Sequence, residues 1–471
     1  MKVEKFYRNS FIVIAANTIT GIVSFIFSIV LSRKLGTEGL GLYGLIMPIY
    51  VLMLCLVSEG LVTAVSKITT VYHNKNDARN ISRMIKTAFV FIFLWVSFIG
   101  FLFFVSSKFI STFIINDARS VNALRVLCPA LFFVPFSAIL KGYFYGTGKF
   151  KVTAIIDIVE KIIRVAALTA IAAVFMPRDV KGTVTAAYAA LTIGESVSFT
   201  LLFICYKKYK SRYTSAAIRP QSRIQLLFNI LAISVPLCIN GFLSSILSTL
   251  TTLILPRRLV SAGLSYSSAL SLIGSFSGMA LNIIFFPMII LNSMSIVLVP
   301  DLSLSLSKKD YWATEKRIFQ VIRISILLGI ATIVACQCVP DELGMLFYKK
   351  ANLGNYIRFA SIPAVFCFVS APAYGILNGL GRQKTLLKNS LIVSLEELLV
   401  IYIFAGIPSI NIYGVAISIA ATSITSIFLN FSEIKRYCSV KFPIRNIIPY
   451  IFSGILSYAI LKPFNNFITD R

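Results

Sequence analysis

The chain has 471 residues, of which 57% are hydrophobic and only 13% are charged, and its mean hydropathy is +0.84. Apolar runs of about 20 residues, long enough to cross a ~30 Å hydrocarbon core as helices, recur along the whole length with short polar gaps between them. This composition excludes an ordinary soluble protein. Strands of a membrane β-barrel would alternate in ten-residue segments, and no such pattern is present. The sequence therefore predicts an all-α, polytopic membrane protein.

The formal net charge of +27 has a distribution that argues against nucleic-acid binding. With the N-terminus in the cytoplasm, alternate connections between the apolar runs hold 29 Lys and Arg residues, whereas the opposite set holds 14. Such a bias is typical of the positive-inside rule. The basic excess is thus explained by topology and by attraction to anionic membrane lipids. We expect a multi-pass protein of a bacterial plasma membrane with a cytoplasmic N-terminus.

Thirteen spans are predicted, and thirteen crossings would place the C-terminus outside the cell. In chain order they lie at 9–32, 41–70, 83–107, 121–145, 152–176, 183–206, 224–255, 266–299, 315–338, 356–379, 385–406, 411–434 and 444–462.

The first span joins the second through the sequence SRKLGTEGLGLYG, whose glycines predict a tight turn and a close approach of the two helices. Prolines at positions 48, 236 and 287 predict kinks in three over-long spans. Asn17 and Asn240 lie midway along the first span of each half. They could hydrogen-bond a sugar or bridge neighbouring helices, and bridging is the favoured interpretation.

The fourth span ends in KGYFYGTGKFK, which contains the letters GTGK. This is not a phosphate-binding loop, because the first glycine of that motif is absent and Phe150 stands where Ser or Thr is required. We interpret it as a short helix-to-helix turn.

The fifth span carries four ionisable residues: Asp157, Glu160, Lys161 and Arg164. Their spacing places them on one face of a helix. Arg164 lies roughly 18 Å along the helix, near the middle of the bilayer, where four charges facing lipid would cost on the order of 10 kcal/mol. The stripe must therefore face the protein interior. It either lines a cavity that binds substrate or forms a network that locks helix 5 to its neighbours.

Other ionisable residues lie in or beside apolar spans. Glu59 and Glu195 have no cation nearby in sequence, so they are either protonated or paired across helices, with Arg125 or Arg164 as possible partners. Arg257 and Arg258 follow the seventh span. They are either a solvated interfacial pair or a site that captures an anionic headgroup.

An internal duplication is predicted from helix-end residues that match at an offset of 233. Arg125, Gly142, Gly146, Gly148 and Lys149 fall on Arg358, Gly375, Gly379, Gly381 and Arg382. The duplication predicts an N-terminal six-helix lobe at 1–212, a C-terminal six-helix lobe at 213–437 and an extra helix at 438–471, with the lobes related by an axis along the membrane normal.

The duplication also predicts that the charged stripe belongs to the first half only. At the same offset Arg164 corresponds to Glu397, a further candidate site residue, while Asp157 and Glu160 correspond to Ser390 and Val393. We therefore expect a substrate path that differs between the two lobes.

The order and spacing of several motifs resemble the stage V sporulation protein B family. They include SRKLGTEGLGLYGL, AVSK, VEKIIRV, IGE, LPRRLVSAGLS and IVLVPDLS, and the resemblance covers residues 10 to about 440. That family belongs to the multidrug/oligosaccharidyl-lipid/polysaccharide (MOP) flippase superfamily. The resemblance implies two six-helix bundles of the multidrug-exporter (MATE) type and export of a lipid-linked sugar, such as a peptidoglycan precursor. Its members commonly carry a fourteenth helix.

One departure limits what can be carried over. The related lipid II flippases have arginines in helices 1, 2 and 8, but here helix 1 offers only Asn17 before Arg33, and Ser268 stands where helix 8 of the relatives has Arg. Glu59, in the sequence Ser-Glu-Gly, does match those relatives.

These observations predict a flippase for an undecaprenyl-diphosphate-linked saccharide, with that lipid, membrane lipids and cell-wall synthesis enzymes as partners. A cation-coupled multidrug antiporter is the first alternative, although residues 10–32 contain no carboxylate to bind the cation. A scaffold for cell-wall synthesis is the second. We expect no enzymatic activity, cofactor or metal, because the eight cysteines lie mostly in apolar spans and there is one histidine.

Overall fold

The computed structural model describes residues 2–175, 179–210, 221–307, 310–437 and 444–469. This part of the chain is helical throughout, without a strand, which confirms the predicted all-α class. The α-helices are α1 (Lys2–Ser58), α2 (Leu61–Asn74), α3 (Ala78–Phe109), α4 (Val121–Gly146), α5 (Phe150–Phe175), α6 (Val180–Lys210), α7 (Arg223–Ser261), α8 (Tyr266–Ile273), α9 (Leu281–Phe285), α10 (Met288–Ser307), α11 (Tyr311–Cys338), α12 (Pro340–Tyr348), α13 (Gly354–Gly379), α14 (Gln383–Phe404), α15 (Tyr413–Lys435) and α16 (Ile444–Thr469).

Nine helical segments of the described chain are long and apolar enough to cross a membrane. One of them, Ile14–Asn74, contains two predicted spans, and it is interrupted at Gly36, whose φ of 68° lies in the left-handed region. Helix α5 falls outside this group because every 18-residue stretch of it contains at least three charged residues: Glu160, Lys161 and Arg164. One face of α3 presents large apolar side chains away from the packed interior, as Phe101 does with 66% exposure, while the other face is buried. The exposed apolar face is the pattern expected of a lipid-facing surface.

The predicted span 266–299 is not one continuous helix. Helices α8 and α9 are separated by a π-helical turn, Gly274–Ala280, and the helix breaks again at Pro287 before α10 begins. A proline lacks the N–H that would continue the helix, which explains the second break.

Contacts between residues divide the chain into two units, which we describe separately. Unit 1 comprises Met1–Leu35 and Leu42–Thr249, and unit 2 comprises Gly36–Gly41 and Leu250–Arg471. The first two-thirds of α7 belongs to unit 1 because the Cys238 thiol donates to the Cys55 carbonyl oxygen at 3.1 Å and the Thr249 hydroxyl donates to the Pro48 carbonyl oxygen at 3.3 Å. The lobe boundaries predicted from the sequence remain a prediction.

The structure repeats at the offset found in the sequence. Helices α3 and α11 begin 233 residues apart, and so do α4 and α13, α5 and α14, and α6 and α15. Asn116 and Lys349 both have left-handed backbones before a short 3₁₀ turn, and Gly148 and Gly381 have φ values of 71° and 73°. The two pseudo-symmetric bundles predicted from the sequence are therefore present.

Matching glycines make matching helix contacts in the two units. A Cβ added at Gly146 of α4 would lie 2.6 Å from the Cβ of Thr69, and one added at Gly379 of α13 would lie 3.0 Å from the Cβ of Leu302. Thr69 and Leu302 are themselves repeat equivalents. Small residues let helix backbones approach closely in membranes, so the glycine periodicity of the sequence reports real packing.

The glycines after Gly36 pack differently from the prediction. Gly41 does not bring the part of α1 after Gly36 against the part before it. A Cβ there would overlap the backbone carbonyl of Leu270 on α8, within unit 2. Gly274 approaches the Thr37 carbonyl oxygen equally closely. The segment Gly36–Gly41 is therefore fixed to α8 and its π-helical turn through glycine contacts.

Candidate functional site

The charged stripe of α5 is part of a larger cluster of ionisable side chains in unit 1. Helix α4 contributes Lys141, α5 contributes Asp157, Glu160, Lys161 and Arg164, and α6 contributes Glu195. We call these six residues the ion network. It contains three cations and three carboxylates, so it carries no formal net charge.

The centre of the ion network is an arginine between two carboxylates. Arg164 Nη2 lies 2.5 Å from Glu160 Oε1, one turn earlier on α5, and 2.9 Å from Glu195 Oε1 on α6. The side chains of Arg164 and Glu160 are only 9% and 6% exposed. Of the alternatives open for Glu195, the structure shows pairing with Arg164. Burying these charges is tolerable only because they compensate one another.

The rest of the ion network reaches the surface of unit 1. Lys161 Nζ lies 2.9 Å from Glu160 Oε2, and Lys141 Nζ lies 2.7 Å from Asp157 Oδ1. These lysines are 25% and 28% exposed, and Asp157 is 30% exposed. The ion network therefore has a buried centre around Arg164 and Glu160 and a partly exposed edge. The edge comprises Lys141, Asp157 and Lys161.

Lys141 was not among the residues selected from the sequence. It lies near the end of α4, where a lysine is readily assigned to the cytoplasmic end of a span. A signal was nevertheless available, because α4 and α5 form a hairpin around the turn at Thr147–Lys149. Lys141 and Asp157 each lie eight residues from Lys149, on opposite arms of the hairpin. Residues placed symmetrically about a tight helical hairpin lie at similar heights along its two helices, so they can meet where both side chains point into the helix interface.

Helix α6 can approach the buried centre because residue 194 is glycine. A Cβ at Gly194 would lie 3.0 Å from Glu160 Oε1, 3.4 Å from the Cβ of Arg164 and 3.5 Å from Arg164 Nε. Any larger residue would push against the ion pair. The Gly194-Glu195 sequence thus supplies both the close contact and the second carboxylate.

Aromatic side chains surround the sealed centre. The Arg164 guanidinium lies 5.9 Å from the centre of the Phe27 ring, and the rings of Tyr43 and Tyr188 stack with centroids 4.6 Å apart. The Tyr43 and Tyr50 phenols interact electrostatically with Arg164. Within the described chain, the buried Arg164 Nε and Tyr50 hydroxyl have no hydrogen-bond partner. The centre therefore retains polar capacity that its present partners do not use.

Four predicted residues of unit 1 lie apart from the ion network. Arg125 Nε donates to Ser107 Oγ at 3.3 Å, and its guanidinium lies 5.4 Å from the Phe104 ring centre. Glu59 is exposed, and its side chain packs on α7, where a Cβ at Gly241 would lie 2.8 Å from Glu59 Cγ. Asn17 is exposed. Asn240, beside Gly241, is half-buried.

The candidates in unit 2 form no comparable network. Arg258 Nε donates to the Tyr402 carbonyl oxygen at 2.7 Å, and its guanidinium lies 4.3 Å from the Tyr402 ring centre, so it is held at the end of α14. Arg257 is exposed, and Glu397 is half-buried. Glu396, beside Glu397, accepts a hydrogen bond from the Thr425 hydroxyl at 3.0 Å.

The ion network has no counterpart in unit 2. The repeat equivalents of its members, 233 residues on, are Tyr374, Ser390, Val393, Ser394, Glu397 and Phe428. One carboxylate thus stands where unit 1 has six charges. In the part of the chain that the structure describes, no group of three or more His, Cys, Asp or Glu side chains is arranged to hold a metal ion.

The fold defines the class of this protein. It matches the inward-facing conformation of a multidrug resistance MATE family transporter of the MOP superfamily, with a TM-score of 0.69 and 15% sequence identity over 91% of this chain and 98% of that one. It also matches a MOP superfamily transporter from Pyrococcus furiosus, with a TM-score of 0.61 and 17% identity over 92% and 95% of the two chains. The chain is therefore a multi-pass membrane protein with the two-bundle fold of the MATE transporters.

Sequence comparison then gives the family. Residues 6–306 match the polysaccharide biosynthesis protein family, and the chain belongs to it. Stage V sporulation protein B of Bacillus subtilis (strain 168) is 23% identical over 98% of this chain and 90% of its own length. Lipid II flippase MurJ of the same organism is 22% identical over 97% of this chain and 88% of its own length. The resemblance read from the motifs is confirmed.

Proposed function

We propose that this protein is a flippase that carries a diphosphate-linked saccharide on a polyprenyl lipid, of the lipid II type, from the cytoplasmic to the outer leaflet. The observation that carries the proposal is the ion network, which places three cations inside unit 1 of a chain that aligns almost end to end with a lipid II flippase. Ionisable groups inside a membrane protein mark transport pathways by default, because they are costly to keep there.

The geometry of the ion network suits exchange of partners with an anionic headgroup. Lys141 and Lys161 lie at the accessible edge and are each paired with one carboxylate. A diphosphate that approached this edge would compete for both lysines, because Lys serves phosphate as a compact point charge. Arg164 would remain between Glu160 and Glu195 and hold the three helices in register. We assign substrate contact to the edge and positioning to the centre.

The energy for export is available without a coupled ion. Moving two negative charges outward through about 100 mV, inside negative, releases roughly 4.6 kcal/mol. The charge bias between connections supports a cytoplasmic N-terminus, which sets the direction of this stroke.

The proposal is tested with the purified protein in liposomes that contain fluorescent lipid II, in parallel with a second diphosphate-linked saccharide and a phosphatidylcholine analogue. We expect faster exposure of the diphosphate lipids in the outer leaflet and no acceleration for the phosphatidylcholine analogue. A protein that moves neither diphosphate lipid is not a flippase of this class. A protein that moves all three lipids equally is an unselective scramblase, and that outcome also contradicts the proposal.

Two other functions are less well supported. A cation-coupled multidrug antiporter remains compatible with the fold, but residues 10–32 of the first helix contain no Asp or Glu. Cation-driven drug efflux in the same liposomes distinguishes it. A scaffold that recruits cell-wall enzymes would have no need of buried ionisable residues, and the balanced network of unit 1 therefore favours transport.

A further inference from the structure

Unit 2 contains a polar cavity of about 400 Å³ at the end where α12 leads into α13. It is lined by Ser275, Lys350, Ala351, Asn352, Leu353 and Tyr356. The ion network belongs to unit 1, and none of its members or of their repeat equivalents lines this cavity.

The same backbone feature occurs in unit 1, where its side chains are satisfied internally. There the left-handed Asn116 is followed by the extended Asp117 and a 3₁₀ turn, Ala118–Ser120. Arg119 binds the Asp117 carboxylate through two nitrogens. Its Nε donates to Oδ1 at 3.0 Å, and its Nη2 donates to Oδ2 at 2.8 Å. Ser120 Oγ also donates to Ser111 Oγ at 2.8 Å. The polar side chains of this loop in unit 1 are thus paired with one another and with Ser111.

The equivalent loop of unit 2 has the same backbone conformation as that of unit 1, but its side chains differ. Lys349 is left-handed, Lys350 is extended, and the 3₁₀ turn is Ala351–Leu353. The equivalents of Asp117 and Arg119 are Lys350 and Asn352, so an internally paired carboxylate is replaced by a cation. Among the described residues, no carboxylate lies within ion-pair distance of Lys350. The half-buried ammonium therefore faces the cavity without a counter-ion.

The rest of the cavity is lined by Ser275 of the π-helical turn and Tyr356 of α13. Ser275 lies on the π-helical turn Gly274–Ala280, whose wider backbone is a feature that recurs at functional sites. Gly274, directly before it, lies so close to the backbone of Thr37 that an added Cβ would overlap the Thr37 carbonyl oxygen. Tyr356 is held edge-on by the Phe276 ring, with centroids 5.8 Å apart. Ser275 and Tyr356 thus lie on packed parts of unit 2.

We propose that this cavity binds an anionic sugar unit. The ammonium of Lys350 would bind the carboxylate or phosphate of the sugar, while the Asn352 amide and the Ser275 hydroxyl would hydrogen-bond its hydroxyl groups. The apolar face of the sugar ring would pack on Tyr356. An unpaired, partly desolvated cation selects strongly for an anion, because charge-assisted hydrogen bonds are about twice as strong as neutral ones. The sugar could belong to a lipid-linked saccharide or to a soluble glycan.

The test uses the full-length protein in nanodiscs and two sugars that differ only at one carbon, glucuronic acid and glucose. Binding is measured by saturation-transfer NMR and titration for the wild type, Lys350→Met and Lys349→Met. Lys349 is the exposed neighbouring lysine and does not line the cavity, so its replacement is a matched control. We expect glucuronic acid to bind at least about tenfold more tightly than glucose, a difference of about 1.4 kcal/mol. That preference should disappear in Lys350→Met and persist in Lys349→Met.

Competition by lipid II in the nanodisc membrane identifies the source of the sugar. Displacement of glucuronic acid by lipid II assigns the cavity to the lipid-linked saccharide, and its absence assigns it to a soluble one. Equal binding of the two sugars by the wild type, absence of binding, or an unchanged preference in a correctly folded Lys350→Met protein would overturn the proposal. Flipping activity is measured separately, so a failure here does not count against the flippase assignment.

Discussion

The guanidinium of Arg164 on α5 lies 2.9 Å from the carboxylate of Glu195 on α6, across the helix interface of unit 1. Glu160 binds the same nitrogen from the other side, so one cation holds two carboxylates that would otherwise repel each other. Removing any one of these three charges leaves an uncompensated charge in a region from which water is largely excluded. This arrangement explains why the stripe of α5 is tolerated in a membrane-spanning helix.

Replacement of the central cation should be strongly destabilising. In Arg164→Met, Glu160 and Glu195 lose their shared partner, and we expect the free energy of unfolding in detergent to fall by about 3–5 kcal/mol. Thermal unfolding followed by circular dichroism measures this. Arg164→Lys, which keeps the charge but cannot contact both carboxylates in the same way, should lose less.

A charge-balanced variant separates stability from transport. Replacing Arg164 by Met together with Glu195→Gln removes one cation and one carboxylate, and Glu160 keeps Lys161 as its partner. Replacing a buried ion pair by neutral residues as a set is often neutral or stabilising. We expect most of the stability lost in the single variant to return. If the double variant remained as unstable as Arg164→Met, the unpaired carboxylate of Glu195 would not be the source of the destabilisation.

Gly194→Ala should disturb the ion network through crowding. The added methyl group would lie 3.0 Å from Glu160 Oε1 and 3.4 Å from the Cβ of Arg164, so α6 must shift. Overpacking of this kind typically costs about 1–3 kcal/mol. The control is Gly100→Ala in α3, where nothing lies within 4 Å of the new Cβ and alanine's higher helix propensity should slightly stabilise the protein. Equal stability of the two variants would contradict the close approach of α6.

The glycine contacts of unit 2 make a parallel prediction. In Gly274→Ala the new methyl group would overlap the Thr37 carbonyl oxygen, which is backbone and cannot rotate away. We expect a loss of more than about 2 kcal/mol and faster proteolysis near Gly36. Gly44→Ala, with open space around the new Cβ, is the control and should behave like the wild type. Similar proteolysis of both variants would show that the segment is not fixed to the π-helical turn.

The edge pair of the ion network should matter little for stability. The side chains of Lys141 and Asp157 are 28% and 30% exposed, so solvent screens their attraction. A double-mutant cycle with Lys141→Met and Asp157→Asn should give a coupling free energy below about 1 kcal/mol. Lys141→Met should nevertheless slow flipping, because this lysine is assigned to the substrate. Loss of stability comparable to that of Arg164→Met would make the pair structural instead.

Stability should depend on pH through Lys350, which lies outside the apolar spans. Burial lowers the pKa of Lys350 below the 10.5 of a free lysine, so the unfolded chain binds a proton more tightly than the folded chain. Stability should therefore rise with pH between the lowered folded pKa and 10.5. Comparing thermal unfolding of the wild type and Lys350→Met across this range isolates the contribution. If the stability of the wild type relative to Lys350→Met fell with increasing pH, the lowered pKa of Lys350 would be contradicted.

Much of the fold was predictable because the decisive signals are local or periodic. Hydropathy indicates the apolar spans. The 233-residue offset of glycines such as Gly146 and Gly379 indicates the repeat from the sequence alone. These glycines recur because the same helix pair packs in each unit. The break after α9 was also predictable, since Pro287 cannot donate the hydrogen bond that continues a helix.

The candidate site was only partly predictable, because its partners come from different helices. The spacing of Glu160 and Arg164 predicted that they meet on one helix face, but the choice of Arg164 as the partner of Glu195 depends on how α6 packs. Lys141 was missed because local sequence assigns it to a helix end. The π-helical turn at Gly274–Ala280 and the cavity beside it depend on backbone geometry that no residue pattern announces.

The most direct test of the account is the initial rate at which labelled lipid II reaches the outer leaflet of liposomes. These liposomes contain either the wild type or the charge-balanced variant with Arg164→Met and Glu195→Gln. We predict that the wild type accelerates this step and that the variant, folded and as stable as the wild type, does so at least about tenfold more slowly, because its helices no longer hold Lys141 and Lys161 in place for the diphosphate. A wild type with no activity towards lipid II, or a stable variant that flips it at the wild-type rate, would contradict the assignment of the ion network to lipid-linked saccharide transport.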